Sequence, residues 1–269
     1  MIRTAKGRRC ASTGLTLVQA AGQISFRVAK DRYGALSVRK NSIVGPMPIG
    51  TAATSDSRGR YDSIGSTIYL ADSRQCAYAE VLLGFRQQRA SVAKAAESIG
   101  WTVEDYITSV RAQAEENGID VPWAISVDWQ IDRSIYEIRL PGQGWWVQID
   151  DAATLRALEA LTPTTAGLTE RLQLLTAGSL TGDDRDLTTL LAHVIRGTVL
   201  DDGSEPLGIS YPSKTLTGRC WAYWDRRADE GLSPSRNGLL QLTSENVRPD
   251  PEFHRVAELY GLPVLGARP

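Results

Sequence analysis

Histidine and cysteine are nearly missing from this chain: its 269 residues hold two His (His193, His254) and three Cys (Cys10, Cys76, Cys220). The three Cys are widely separated and form no CxxC pair, and two lone His make no HExxH site. Zinc chemistry and a thiol redox motif are therefore disfavoured. Three thiols also make a poor disulfide framework, which points to a reducing, cytoplasmic setting. Charge of one sign is lacking too, since 30 Lys and Arg stand against 31 Asp and Glu. Phosphate neutralisation usually leaves a net basic surface, so direct nucleic-acid binding is not expected. No apolar run reaches the roughly 18 residues of a membrane span. An enzyme of this composition draws its chemistry from Arg, Glu, Asp, Ser, Thr and Tyr, without a metal.

What is present is a mixture of strand and helix patterns, an α+β chain with a sheet assembled from distant segments. Residues 1–22 begin basic and turn to small residues broken by Ser, Thr, Gly and Gln. They predict a flexible lead-in with one short helix rather than a signal peptide. Residues 23–269 form the domain proper. Ile24, Phe26 and Val28 alternate with Ser25 and Arg27, a half-buried strand. A Gly-, Pro- and Ser-rich loop over 41–62 is long enough to belong to a binding site. A strand over 67–71 follows. Asp72 and Gln75 then predict a capped helix over 75–88. A helical insertion spans about 86–121, broken at Gly100, restarted at Thr102 and Asp105 and stopped at Gly118. Further strands are expected at 123–129, 134–140, 145–149, 209–211 and 219–224. Further helices are expected from Asp150 or Asp151 to Leu161, at 169–176, at 186–199 and at 252–260. The Trp-rich strands read as core and edge packing.

Arg27, Arg60, Glu80 and Ser213 are each ordinary alone, because an Arg on a strand or a Glu on a helix is usually solvated. In order along the chain they say more. Gly59-Arg60-Tyr61-Asp62, Tyr69-Leu70-Ala71, Ala77-Tyr78-Ala79-Glu80 and Gly208-Ile209-Ser210-Tyr211-Pro212-Ser213 form a set. That set resembles the RES-domain family of toxins, over about residues 24–85 and 205–225. A single Gly59 follows Arg58 where the family has a Gly-Gly pair, and Tyr61 stands where some members have Trp or Phe. The resemblance implies an ADP-ribosyltransferase-like fold, with a mixed β core and surrounding helices. It also implies consumption of NAD as a substrate with no cofactor, and an Xre-type antitoxin as partner. By position, Arg27 matches the early family Arg, Arg60 the Arg beside the aromatic, and Tyr69 the strand tyrosine. Glu80 and Ser213 match the Glu and Ser.

The residue types fit that chemistry. Guanidinium groups bind pyrophosphate oxygens by paired, charge-assisted hydrogen bonds. Tyr61 and Tyr69 offer faces for nicotinamide. Cleaving the nicotinamide–ribose bond passes through an oxocarbenium-like state, which a carboxylate such as Glu80 stabilises. Nicotinamide leaves neutral, so no metal or strong acid is required. Ser213 is expected to position nicotinamide or a ribose hydroxyl, and without a paired His it is not read as a nucleophile. The expected activity is NAD glycohydrolase or phosphorylase. Transfer of ADP-ribose to a protein is the alternative among enzymes. A non-catalytic interaction or DNA-binding protein using residues 91–117 is the alternative of another class, although that stretch is acidic.

Overall fold

Short alternating segments from the whole length of the chain meet in one mixed sheet. The computed structural model describes residues 7–38, 40–47, 58–162, 172–233, 235 and 237–266. The strands are β1 (Gly7–Arg9), β2 (Thr16–Gln19), β3 (Ile24–Lys30), β4 (Lys40–Asn41), β5 (Gly65–Ala71), β6 (Arg133–Arg139), β7 (Trp145–Gln148), β8 (Gly208–Pro212), β9 (Arg219–Trp224) and β10 (Leu240–Asn246). Their spatial order is β1-β2-β7-β8-β9-β5-β3-β6-β10, with β4 paired to β5 off that path. β7 and β8 run parallel, whereas the other named pairs are antiparallel. The helices are α1 (Arg74–Ser98), α2 (Val103–Glu116), α3 (Val127–Ile131), α4 (Ala152–Leu161), α5 (Ala177–Thr181), α6 (Arg185–Arg196), α7 (Arg226–Asp229) and α8 (Pro251–Leu259). The protein is therefore α+β. Among the described residues no helix is long and apolar enough to cross a membrane.

Alternation along the strands divides the core in two. Ile135, Val147, Ile209 and Ala222 pack with Tyr78 and Leu82 of α1, Leu191 and Ile195 of α6, and Phe253 and Val256 of α8. Ile68, Leu70, Tyr136, Ile138, Trp146 and Trp221 form a second cluster with Ala35 and Leu239. Trp123, Trp146 and Trp224 are buried, as expected of packing residues. The three Cys are buried free thiols. β8 and β9 approach so closely that a Cβ on Gly208 would lie 1.9 Å from the Ala222 carbonyl oxygen. Only glycine fits there.

Several local expectations are corrected. Residues 7–19 are a hairpin, not a flexible lead-in, and β2 joins it to β7. Leu15 and Leu17 are fully buried, and that apolar pair ties the segment down. The cap of α1 is Ser73, whose hydroxyl accepts from Cys76 N; Asp72 accepts instead from Arg219 N at 2.8 Å. α1 runs unbroken from Arg74 to Ser98, so the helical insertion is in part the continuation of the helix that bears Glu80. It stops where Gly100 takes a left-handed φ of 73°, and Thr102 caps α2 as its spacing predicts. The strand expected at 123–129 is absent. There Ser126 accepts from Trp129 N and starts α3, while Ile125 bridges Val264. Residues 163–171, which include the first three residues of the helical piece expected at 169–176, lie outside the described residues, as do 48–57 of the long loop. β10 was not foreseen; it is an edge strand exposed along nearly its whole length.

Candidate functional site

The site lies where the sheet parts. β3 and β5 are paired at a single position, Phe26 with Ala71, and β4 covers the other end of β5 at Gly65 and Ser66. Between the two contacts the strands diverge beneath α1. A pocket of about 440 Å³ opens there, with Arg27 of β3, Tyr69 of β5, Glu80 of α1 and Arg60 in its wall. Asp183, Arg185, Tyr211 and Lys214 complete it. A volume of this size is typical of small-molecule sites.

The turn before β5 is built on Tyr69. Its hydroxyl donates to Asp62 Oδ1 at 2.8 Å and accepts from Tyr61 N at 2.9 Å. Asp62 Oδ2 accepts from Gly59 N at 2.7 Å. The turn closes so tightly that a Cβ on Gly59 would stand 2.4 Å from the Tyr69 hydroxyl, which explains the glycine before Arg60. Burial first, and then the Asp62 charge, pushes the Tyr69 phenol well above its ordinary range, so it remains a donor. Tyr69→Phe leaves Asp62 and the Tyr61 amide each short of a partner. A loss of about 1–3 kcal/mol is expected in denaturant unfolding, and unchanged stability would contradict this role for the hydroxyl.

Arg60 leaves this turn for the pocket. Its residue exposure is 7%. Its guanidinium lies over the rings of Tyr61 and Tyr211, at 5.7 and 5.4 Å from their centroids. Nε and Nη1 have no hydrogen-bond partner among the described residues. Arg58, two residues earlier, is equally buried but engaged, donating to Gly45 O and pairing with Asp186 of α6, each at 2.7 Å. One arginine anchors the loop. The other lines the pocket with two of its nitrogens buried and unpartnered.

Glu80 faces Arg60's pocket from α1. Its Oε1 accepts from Ser213 Oγ at 2.5 Å and from Lys214 N at 3.0 Å. Ser213 is 1% exposed, and its hydroxyl also contacts Thr215 Oγ1 at 2.6 Å. The serine thus orients the carboxylate from behind rather than lining the pocket. The loop that carries it turns back at Leu216, a non-glycine residue with φ of 59°.

Arg27 lines the pocket, but its guanidinium is occupied. Nη1 donates to Ala35 O at 2.8 Å and Nη2 to Ser37 O at 3.1 Å. Burial lowers its pKa to about 10. Tyr61 is not brought to the pocket wall. Its ring packs on Tyr211 at 4.6 Å between centroids, its hydroxyl donates to Leu180 O, and it is 1% exposed. A buried phenol that is satisfied in this way braces the turn and offers no face to a ligand, which corrects its expected stacking role.

Three charged wall residues were not singled out from sequence: Asp183, Arg185 and Lys214. Asp183 Oδ1 pairs with Lys214 Nζ and lies 3.4 Å from Arg185 Nη2. The available signals were local, a Lys directly after Ser213 and an Asp-Asp-Arg run at a helix start. Compared with protein-family models, with curated proteins and with solved structures, the chain has no significant match.

Proposed function

We propose that this chain degrades NAD by cleaving the nicotinamide–ribose bond, with water or phosphate accepting the ADP-ribosyl group. The observation that carries the reading is the buried guanidinium of Arg60, without partners on Nε and Nη1, in one pocket with the Glu80 carboxylate. A buried, unpaired cation is costly and persists where an anionic ligand completes it. Glu80 Oε1 is held by Ser213 and Lys214, which leaves Oε2 to face a ribose hydroxyl and the positive charge that grows at the anomeric carbon. Phe26, Val28 and Val81 supply apolar wall for nicotinamide, with Tyr69 beside them. The mixed sheet with helices packed on it agrees in class with the ADP-ribosyltransferase-like fold that the RES resemblance implies.

On this reading NAD is substrate rather than cofactor. The protein acts as a toxin of the cytoplasm, and an Xre-type antitoxin restrains it. Incubation of purified protein with NAD, with products identified by mass, tests the activity. Release of nicotinamide in step with loss of NAD is expected, together with free ADP-ribose or its phosphate. Intact NAD at stoichiometric enzyme overturns the reading. Label from NAD found on protein selects mono-ADP-ribosyl transfer instead.

A further inference from the structure

We propose that Arg185 and Lys214, with Arg60, form a phosphoanion subsite at the pocket mouth, and that Asp183 occupies it as a displaceable counter-ion. The inference rests on the NAD reading for its natural ligand, a nucleotide diphosphate ester, and on geometry for its anion chemistry. Asp183 lies in the link between α5 and α6, and its side chain is 69% exposed. It nonetheless reaches back to line the pocket, pairing with Lys214 Nζ and Arg185 Nη2. The Lys214 contact, ahead of the other charges around it, holds the Asp183 carboxyl below its ordinary range, so the counter-ion stays charged at neutral pH.

An ion pair with a largely solvated carboxylate is weak and exchanges readily. Of the cations it neutralises, Arg185 also donates Nη1 to Gly182 O at 3.4 Å, which leaves Nη2 as its end toward Asp183. Lys214 Nζ pairs with Asp183, and its backbone amide holds Glu80. Arg185 is fixed in aim by Nε donating to Arg58 O at 3.1 Å, at the first turn of α6, where the helix dipole also favours an anion. Arg60 is the independent sign of a missing ligand, because it is buried, lines the same pocket and lacks partners at Nε and Nη1. A diphosphate carries more charge than one carboxylate and spans more donors. It therefore displaces Asp183 outward into water, while Lys214 and Arg185 keep their positions. The same lysine then touches both ends of the reaction, with its amide on the Glu80 carboxylate and its ammonium on the phosphates.

Calorimetric titration with ADP and with inorganic pyrophosphate tests this, with adenosine as the uncharged control. Asp183→Asn removes the competing charge without changing shape, and is expected to tighten ADP and pyrophosphate binding about two- to fivefold. Lys214→Ala and Arg185→Ala are each expected to weaken both by about tenfold or more, the worth of a hydrogen bond to a charged group. The double variant Asp183→Asn/Lys214→Ala should bind as weakly as Lys214→Ala alone, and adenosine should respond to none of these changes. Unchanged or weaker ADP binding by a folded Asp183→Asn protein overturns the counter-ion role. Unchanged pyrophosphate binding by both cation variants overturns the subsite. Should the anions bind as expected while NAD stays intact, the NAD reading fails and the subsite stands.

Discussion

Glu80→Gln is expected to lower the turnover of NAD by about 10²–10³-fold, the usual cost of removing one preorganised electrostatic partner of a transition state. The amide keeps an oxygen where Oε1 now accepts from Ser213 Oγ and Lys214 N, so the side chain holds its place and loses only its charge. KM and the melting temperature should therefore move little while kcat collapses. That split identifies a group whose interaction strengthens in the transition state. Glu80→Asp tests the geometry, because a carboxylate withdrawn by one methylene cannot meet the same two donors. A misplacement of about 1 Å costs on the order of 10²-fold. Ser213→Ala should fall between wild type and Glu80→Gln, since Lys214 N still holds Oε1. Full turnover by Glu80→Gln would remove the carboxylate from the reaction altogether.

The part of this site that was legible in the sequence is the part written contiguously. Tyr69 and Glu80 belong to one strand–turn–helix block, and Arg60 precedes it by one tight turn. Local signals such as the Gly59 turn and the amphipathic start of α1 therefore place all three together. Ser213 meets Glu80 across 133 residues of chain, and no spacing argument could pair them; only the ordered resemblance did. Tyr61 and Tyr69 look alike in sequence. Their fates part because the Tyr69 hydroxyl is drawn into the Asp62–Gly59 turn, while Tyr61 is forced inward against Tyr211. Arg27 is on the expected strand, yet its guanidinium is taken by carbonyls of the loop that follows, a contact that leaves no mark in residue type.

Elsewhere the misreadings have physical causes. β1 and β2 are three and four residues long, too short for alternation to register, and the hairpin they form is held to the sheet by the pairing of β2 with β7. Around Trp123–Trp129 the alternation is real, but a serine cap overrides it and converts its second half to α3. β10 carries Leu240 and Leu242 on an exposed edge, so no buried face disciplines its pattern. Asp183 and Arg185 stand just before the helix expected from residue 186, where acidic residues are commonplace. What distinguishes them is the lysine that tertiary structure brings beside them.

Arg60→Met is expected to make the free protein more stable while abolishing its affinity for ADP-ribose and NAD. The wild-type guanidinium is buried in the pocket wall with Nε and Nη1 unpartnered, and the rings of Tyr61 and Tyr211 return only part of its lost hydration. A methionine of similar reach keeps the aromatic contacts and removes the charge, for a gain of about 1–3 kcal/mol. For a chain of this size that is a rise of roughly 2–4 °C in melting temperature per kcal/mol. The ligand reverses the order of the two proteins. Saturating ADP-ribose, at about one hundred times Kd, should stabilise the wild type by about 2.7 kcal/mol and leave the variant unmoved. Arg60→Lys separates charge from shape. It keeps a buried cation, so it gains no stability, but a point charge cannot bind oxygens in pairs, and affinity should fall without vanishing. Such opposition between stability and binding is the signature of a residue kept for its ligand. An Arg60→Met protein that melts lower and still binds ADP-ribose would mean that the guanidinium serves the fold, and the NAD reading would lose the observation on which it stands.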